Sequence, residues 1–221
     1  LRLRNASPEG WDMFVREFDD HNSFTLTDRV ASGCGWALIR EGEATMKCDG
    51  TCCLIEDGRL YRRYDRKVKK DGSGYKDMPA EWRAADDPDA TTGHWPGWLP
   101  VGAEPESRWH REAHDPSLPD GTYELCGPMV QGNPHDLKTH ALLRHGFLRC
   151  SCFNHTFLGV RTFLVDHPTW EGIVFHHPDG RATKIRRDDY GLPWGNRRGG
   201  ERWLRLDGTR HRWNCPVVLD Q

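Results

Sequence analysis

Apolar residues recur along this chain with two periods, and each period predicts an element. Over residues 11–18 they fall at helical spacing, which predicts a short amphipathic helix. Over 44–64 the period shortens: Thr45, Cys52, Leu54 and Ile55, then Leu60 and Tyr61, flank Glu56-Asp57-Gly58-Arg59, the pattern of a hairpin turn between two strands. Residues 122–126, 139–144, 172–176 and 182–187 read as further short strands, and 154–165 as a helix. Strands punctuated by turns, with few helices, point to an antiparallel α+β domain. Residues 65–120 lack such periodicity, are rich in Pro, Gly, Asp and Trp, and centre on His94-Trp95-Pro96-Gly97-Trp98. Flexible linkers seldom carry several tryptophans, so this stretch is expected to be an ordered, irregular insertion. No internal repeat is present, which argues against a solenoid.

Composition changes this picture in three respects. The chain has 221 residues, 36% of them hydrophobic, enough to bury a sizeable core, and residues 1–221 are read as a single domain. No apolar run approaches the length of a membrane span, and residues 1–5 lack the basic start and apolar run of a signal peptide. Eight cysteines would suit a bridged secreted domain, but Cys48, Cys52 and Cys53 crowd one segment, which favours reduced thiols in an intracellular, cytoplasmic setting. The net charge of −2 hides a basic segment: residues 181–213 carry ten Lys and Arg against four Asp and Glu, leaving 21 against 29 in the rest. Such a segment fits contact with a polyanion, or else a solvated basic surface.

Candidate chemistry lies in an ordered set of residues. Lys47-Cys48-Asp49-Gly50-Thr51 ends one predicted strand; alone, a Lys followed by Asp and Gly recurs by chance. Its weight comes from residues further along the chain. Arg63 stands after the hairpin, Glu124 in Gly121-Thr122-Tyr123-Glu124-Leu125-Cys126-Gly127, Glu171 in Glu171-Gly172-Ile173-Val174-Phe175, and then comes Lys184-Ile185-Arg186.

This order resembles the covalent nucleotidyltransferase superfamily, the polynucleotide ligases and mRNA capping enzymes, over about residues 44–191. Within it, residues 47–53, Gly93-His94-Trp95-Pro96-Gly97-Trp98 and residues 121–133 look like an ATP-dependent 5'-3' RNA ligase family shared by vertebrates, some bacteria and viruses. The resemblance implies a nucleotidyltransferase (ligase adenylation) fold, with antiparallel sheets around a nucleotide-binding cleft and no separate OB domain. It implies ATP with Mg²⁺ or Mn²⁺ as cofactors and, as partner, an RNA bearing 5'-phosphate and 3'-hydroxyl ends; no protein partner and no membrane contact can be read. Lys47 would take AMP from ATP and expel pyrophosphate. AMP would then pass to the RNA 5'-phosphate, and a 3'-hydroxyl would displace it.

Physical chemistry says why these residue types are wanted. A lysine amine attacks phosphorus only after losing a proton, and its ordinary pKa is about 10.4. Nearby cations and partial burial favour the neutral amine, and Lys184, Arg186 and a bound metal ion would supply the positive field. By motif position Glu171 would hold the metal, directly or through water, because carboxylate oxygen is a hard ligand. Glu124 would hold the ribose hydroxyls or help hold the metal, Arg63 would contact ribose or phosphate, and Lys184 with Arg186 would engage the α-phosphate. His140 falls where the family usually sets Phe or Tyr against adenine. Arg186 stands where many ligases carry Lys, which keeps the charge and adds a fork suited to phosphate.

Other readings of the same residues remain. Glu124 and Glu171 can be strand-end carboxylates paired with surface bases, and Arg62 or Arg66 can take the task given to Arg63. Only one of His176 and His177 can face inward from a strand. Trp95, Trp98 and Trp109 either stack on RNA bases or staple the insertion to the domain, the latter being the expected use. Cys150-Ser151-Cys152 with His155 is the best local zinc candidate, although its spacing is not that of a finger. DNA ligases and capping enzymes usually append an OB-fold domain, whereas 30 residues follow Gly191, and they usually place Arg where Thr51 stands. An inactive RNA-binding module predicts a broken motif, yet Lys47, Glu171 and Lys184 are all present.

Overall fold

A computed structural model of the chain describes residues 4–5, 12–21, 23–89, 93–194 and 218–219. The elements begin with β1 (Arg4–Asn5), β2 (Phe14–Phe18), β3 (Phe24–Val30), α1 (Gly35–Leu38) and β4 (Glu43–Lys47). Next come β5 (Thr51–Glu56), β6 (Arg59–Arg63), β7 (Arg83–Ala84), β8 (Gly97–Pro100), α2 (Arg108–Ala113), β9 (Gly121–Cys126) and β10 (Ala141–Arg144). The last are β11 (Leu148–Cys150), α3 (Phe157–Asp166), β12 (Gly172–His176), β13 (Arg181–Arg186) and β14 (Val218–Leu219). Among the described residues, every strand pairing except β1 beside β13 is antiparallel, so the expected α+β class is observed. Among the described residues no helix is long and apolar enough to cross a membrane.

Two compact units divide the chain. The first draws on Leu1–Asp49, Pro134–Asp136 and His145–Gln221, the second on Gly50–Asn133 and Leu137–Arg144. Neither is a continuous segment, because the chain changes unit after Asp49, Asn133, Asp136 and Arg144.

The first unit holds a six-stranded sheet in the order β1-β13-β12-β4-β11-β14 and the β2–β3 pair. Alternation along its central strands sorts the side chains. Met46, Ile173 and Ile185 lie in one cross-strand row, Ala44 and Phe175 in the next, and all five are buried. α3 covers the same core with Val160, Phe163 and Leu164, spaced to one helix face. Its start is fixed by Thr156, whose hydroxyl accepts a hydrogen bond from the Gly159 amide. Burying each such side chain stabilises the fold by roughly 2 kcal/mol.

The helix expected over residues 11–18 is not formed. β2 pairs with β3 across a bulge between Phe14 and Arg16, and the helical spacing misled because, among the described residues of this stretch, only Met13 and Phe14 are fully buried, while Phe18 is exposed. The Thr- and Val-bearing β3 offers a hydrogen-bonding edge that local periodicity cannot reveal.

In the second unit the sheet order is β10-β9-β5-β6-β8-β7. Cys53, Ile55, Leu60, Tyr123, Leu125 and Leu142 form its core. The predicted hairpin is β5–β6, and both turn residues take positive φ, Asp57 at 52° and Gly58 at 69°, as the two-residue turn of a right-twisted hairpin requires. The carboxylate of Asp120 accepts hydrogen bonds from both turn amides, at 2.8 and 3.1 Å. The described residues of 65–120 contain β7, β8 and α2, elements too short to leave a periodic trace. Trp82 is buried there, donates its indole N–H to the Tyr64 carbonyl at 2.9 Å and meets Trp95 edge-on.

Candidate functional site around Lys47

In the first unit, β4, β12 and β13 lie side by side, and their register fixes which side chains meet. Gly172 sits between Lys47 and Arg186, and Val174 sits between Thr45 and Lys184. Because residues two apart share a face, Lys47, Lys184 and Arg186 all stand on the face opposite the buried Met46–Ile173–Ile185 row. Gly172 is needed between them: a Cβ there would come within 2.3 Å of the Ile185 carbonyl oxygen and 2.9 Å of the Arg186 Cα.

Glu171, one residue before β12, reaches Lys47. The Lys47 amine donates to Oε2 of Glu171 at 2.5 Å, with side-chain exposures of 23% and 10%. Burial pushes the Glu171 carboxyl up to about 7; the Lys47 and Arg186 charges pull it down, and Asp49 adds to the rise. Burial also lowers the Lys184 pKa, helped by the positive charges of Arg186, Lys47 and Arg16 and opposed by Asp12. Arg186 is anchored by Asp189, whose buried carboxylate accepts from the Arg186 amide at 2.7 Å and from its guanidinium at 3.4 Å.

Asp49 of the Lys-Cys-Asp-Gly segment is held by two residues that sequence reasoning missed. The Trp194 indole donates to its carboxylate at 2.9 Å, and its amide donates to Nε2 of the fully buried His135, also at 2.9 Å. Both contacts bridge long stretches of sequence, so no local pattern could announce them. Of the paired histidines, His176 continues the Lys47 face and bonds Thr45 at 3.0 Å, and burial lowers its pKa to about 4. His177 packs against Trp36 instead.

Arg63, Glu124 and His140 belong to the second unit. Arg63 pairs with Asp65, and its guanidinium lies 5.8 Å from the Trp98 ring centroid. Glu124 stands on β9 directly across from Cys52 of β5. His140 stacks on Trp109 at 4.4 Å, engages Glu112 through Nδ1 at 2.9 Å and accepts the Met129 amide at Nε2. An adenine on His140 would have to share the ring with these partners. Trp95 packs on Trp82 within the 65–120 stretch, while Trp109 stacks on His140 outside it.

The zinc candidate does not assemble: among the described residues Cys150, Cys152 and His155 do not bring three ligand atoms within 4.8 Å of one another. Cys152 is disulfide-bonded, so the expected reduced thiols do not extend to it. The basic stretch 197–212 lies outside the described residues.

No family model matches the chain. Proteins named RNA ligase 1 do match it along most of its length. That of Danio rerio is 27% identical over 76% of this chain and 73% of its own; that of Rattus norvegicus is 26% identical over 79% and 76%. The Mus musculus protein is also 26% identical, over 79% of this chain and 75% of its own. The chain is thus similar, at 26–27% identity, to proteins named RNA ligase 1. The Lys47 face holds an amine, a carboxylate in contact with it and two further cations, groups whose charge suits phosphoryl oxygens.

Proposed function

We propose that this protein is an ATP-dependent RNA ligase that captures AMP on Lys47 and passes it to an RNA 5'-phosphate for joining to a 3'-hydroxyl. The observation that carries the reading is the 2.5 Å contact of the Lys47 amine with Glu171, on a sheet face that also bears Lys184 and Arg186. In the first step the neutral amine forms an N–P bond to the α-phosphate. The bond from that phosphorus to the bridging oxygen breaks, pyrophosphate departs with the electron pair, and the amine proton leaves to solvent. Lys184 and Arg186 stabilise the charge on the phosphoryl oxygens, and Glu171 orients the amine before attack. On this reading residues 1–221 make up one ligase adenylation domain.

Glu171 fits a divalent cation, because its hard oxygen ligand sits where burial leaves the carboxylate short of compensating charge. When bound, Mg²⁺ or Mn²⁺ would neutralise charge on the phosphate oxygens. The nucleotide contacts assigned to Arg63, Glu124 and His140, and the metal role of Glu124, rest on motif order alone.

Incubation with α-labelled ATP and Mg²⁺ or Mn²⁺, followed by a denaturing gel, tests the first step. Wild type is expected to carry label and Lys47→Ala none. A chase with 5'-phosphorylated RNA should move the label to RNA. Retained label in Lys47→Ala would overturn the nucleophile, and label from GTP alone would move the protein to the capping class.

A further inference from the structure

Three residues beside Lys184 and Arg186 form an ionic network that the ligase motifs do not include. Arg16, on β2, grips Asp12 with both guanidinium nitrogens, Nη1 to Oδ2 at 2.9 Å and Nη2 to Oδ1 at 3.1 Å. The same Nη2 reaches Oδ1 of Asp189 at 2.6 Å. Its guanidinium lies 4.7 Å from the Phe24 ring centroid, a cation–π contact. Asp189 has no exposed side-chain surface, and Asp12 and Arg16 are 23% and 18% exposed, so all three charges are weakly screened.

Each carboxylate of this network borders one of the two cations assigned to phosphate. Asp12 forms a bridge beside Lys184, the next amide, that of Met13, donates to the Lys184 carbonyl at 2.8 Å, and the Asp12 charge acts on Lys184. Asp189 holds the Arg186 amide at 2.7 Å, while its distance to the Arg186 guanidinium is 3.4 Å, longer than the 2.6 Å contact it makes with Arg16. Arg16 therefore takes the closer contact with one carboxylate and engages the other through both of its terminal nitrogens. Without it, the partly buried Asp12 and the buried Asp189 would face the two cations with no guanidinium between them, and each pair would close into neutrality.

We propose that Arg16 is a positioning residue: by occupying Asp12 and Asp189 it leaves Lys184 and Arg186 free to bind the phosphates of the nucleotide. The proposal rests on the ATP reading above. With Arg16 in place the five side chains sum to one positive charge; without it they sum to zero, and the site loses its attraction for a polyanion.

The test compares wild type, Arg16→Gln, and Arg16→Gln combined with Asp12→Asn, with ATP affinity measured by calorimetry beside lysine-AMP labelling and thermal melting. Gln removes the charge and keeps a polar side chain with part of the aliphatic stem. Arg16→Gln is expected to weaken ATP binding about tenfold, and the added Asp12→Asn to recover most of that loss by removing the released anion. A purely structural ion pair predicts the opposite, because the second substitution removes a further contact and cannot rescue. Unchanged ATP affinity in Arg16→Gln, or a double variant as weak as the single, overturns the proposal. If Arg16→Gln melts too low to measure, the double variant decides: near wild-type affinity supports the proposal, and a tenfold loss overturns it. A wild type that binds ATP but takes no label defeats the lysine-AMP step while the affinities still decide on Arg16. A wild type that binds no ATP defeats both.

Discussion

At the scale of single residues, the Lys47–Glu171 pair shows burial and charge pulling in opposite directions. Glu171 rises from the ordinary 4.5 to about 7 although an ammonium touches it, so desolvation outweighs the ion pair. The folded chain therefore holds a proton on Glu171 between pH 4.5 and 7 that the unfolded chain has released, and the stability tied to this group falls as pH rises through that window. His176 acts in the opposite sense. Its pKa drops to about 4, so its contribution is present above 6.5 and lost as pH falls toward 4. Urea unfolding of wild type and Glu171→Gln at about pH 4.5 and about pH 7.5 separates the two. The stability difference, wild type minus variant, should fall by on the order of 3 kcal/mol across that range. A constant difference would show that Glu171 ionises as an ordinary carboxyl. Lys47, Glu171, Lys184 and Arg186 were legible in the chain because their order and spacing carry the pattern. Asp12, Arg16, His135, Asp189 and Trp194 were not, since ion pairs and hydrogen bonds across much of the chain leave no trace in local sequence.

At the scale of elements, β12 is the strand on which the site depends. It runs between β4 and β13, and its first residue is the glycine that lets Lys47 and Arg186 approach from either side. Gly172→Ala should cost about 1–3 kcal/mol in chemical denaturation, because the added methyl meets Ile185 and Arg186 backbone that cannot swing away. It should also reduce lysine-AMP formation, since Glu171 is the preceding residue; a variant with unchanged melting and labelling would show that the sheet absorbs the methyl. β12 was readable from sequence with the bounds observed, as was the β5–β6 hairpin, because alternation and turn chemistry act locally. The stretch 11–18 was misread because its partner strand, β3, decided its conformation.

At the scale of the whole molecule, the uneven charge of the chain bears on substrate. Of the ten Lys and Arg over 181–213, Lys184 and Arg186 stand on the Lys47 face, Arg181 and Arg187 lie elsewhere among the described residues, and six lie in 197–212, outside them. If that stretch contacts RNA phosphates, replacing Arg197, Arg198, Arg202 and Arg205 with Gln should weaken RNA binding. It should also flatten the plot of log affinity against log salt by about 0.7 for each phosphate no longer neutralised. Filter binding at several salt concentrations checks this, and an unchanged slope would assign those arginines to a solvated surface.

The sequence by itself determined the strand-rich class, the hairpin, the nucleophile candidate and the ordered carboxylate and cations behind it, all features written in short-range spacing or in the order of motifs. Tertiary structure alone decided which of them meet. It set Lys47, Lys184 and Arg186 on one sheet face through the β4–β12–β13 register, brought Glu171 against Lys47 from the residue before β12, made β2 a strand, and surrounded His140 with Trp109, Glu112 and Met129. The physical reason is that burial and cross-strand pairing join residues far apart in the chain, and those contacts set the charge state and orientation of every group in the site.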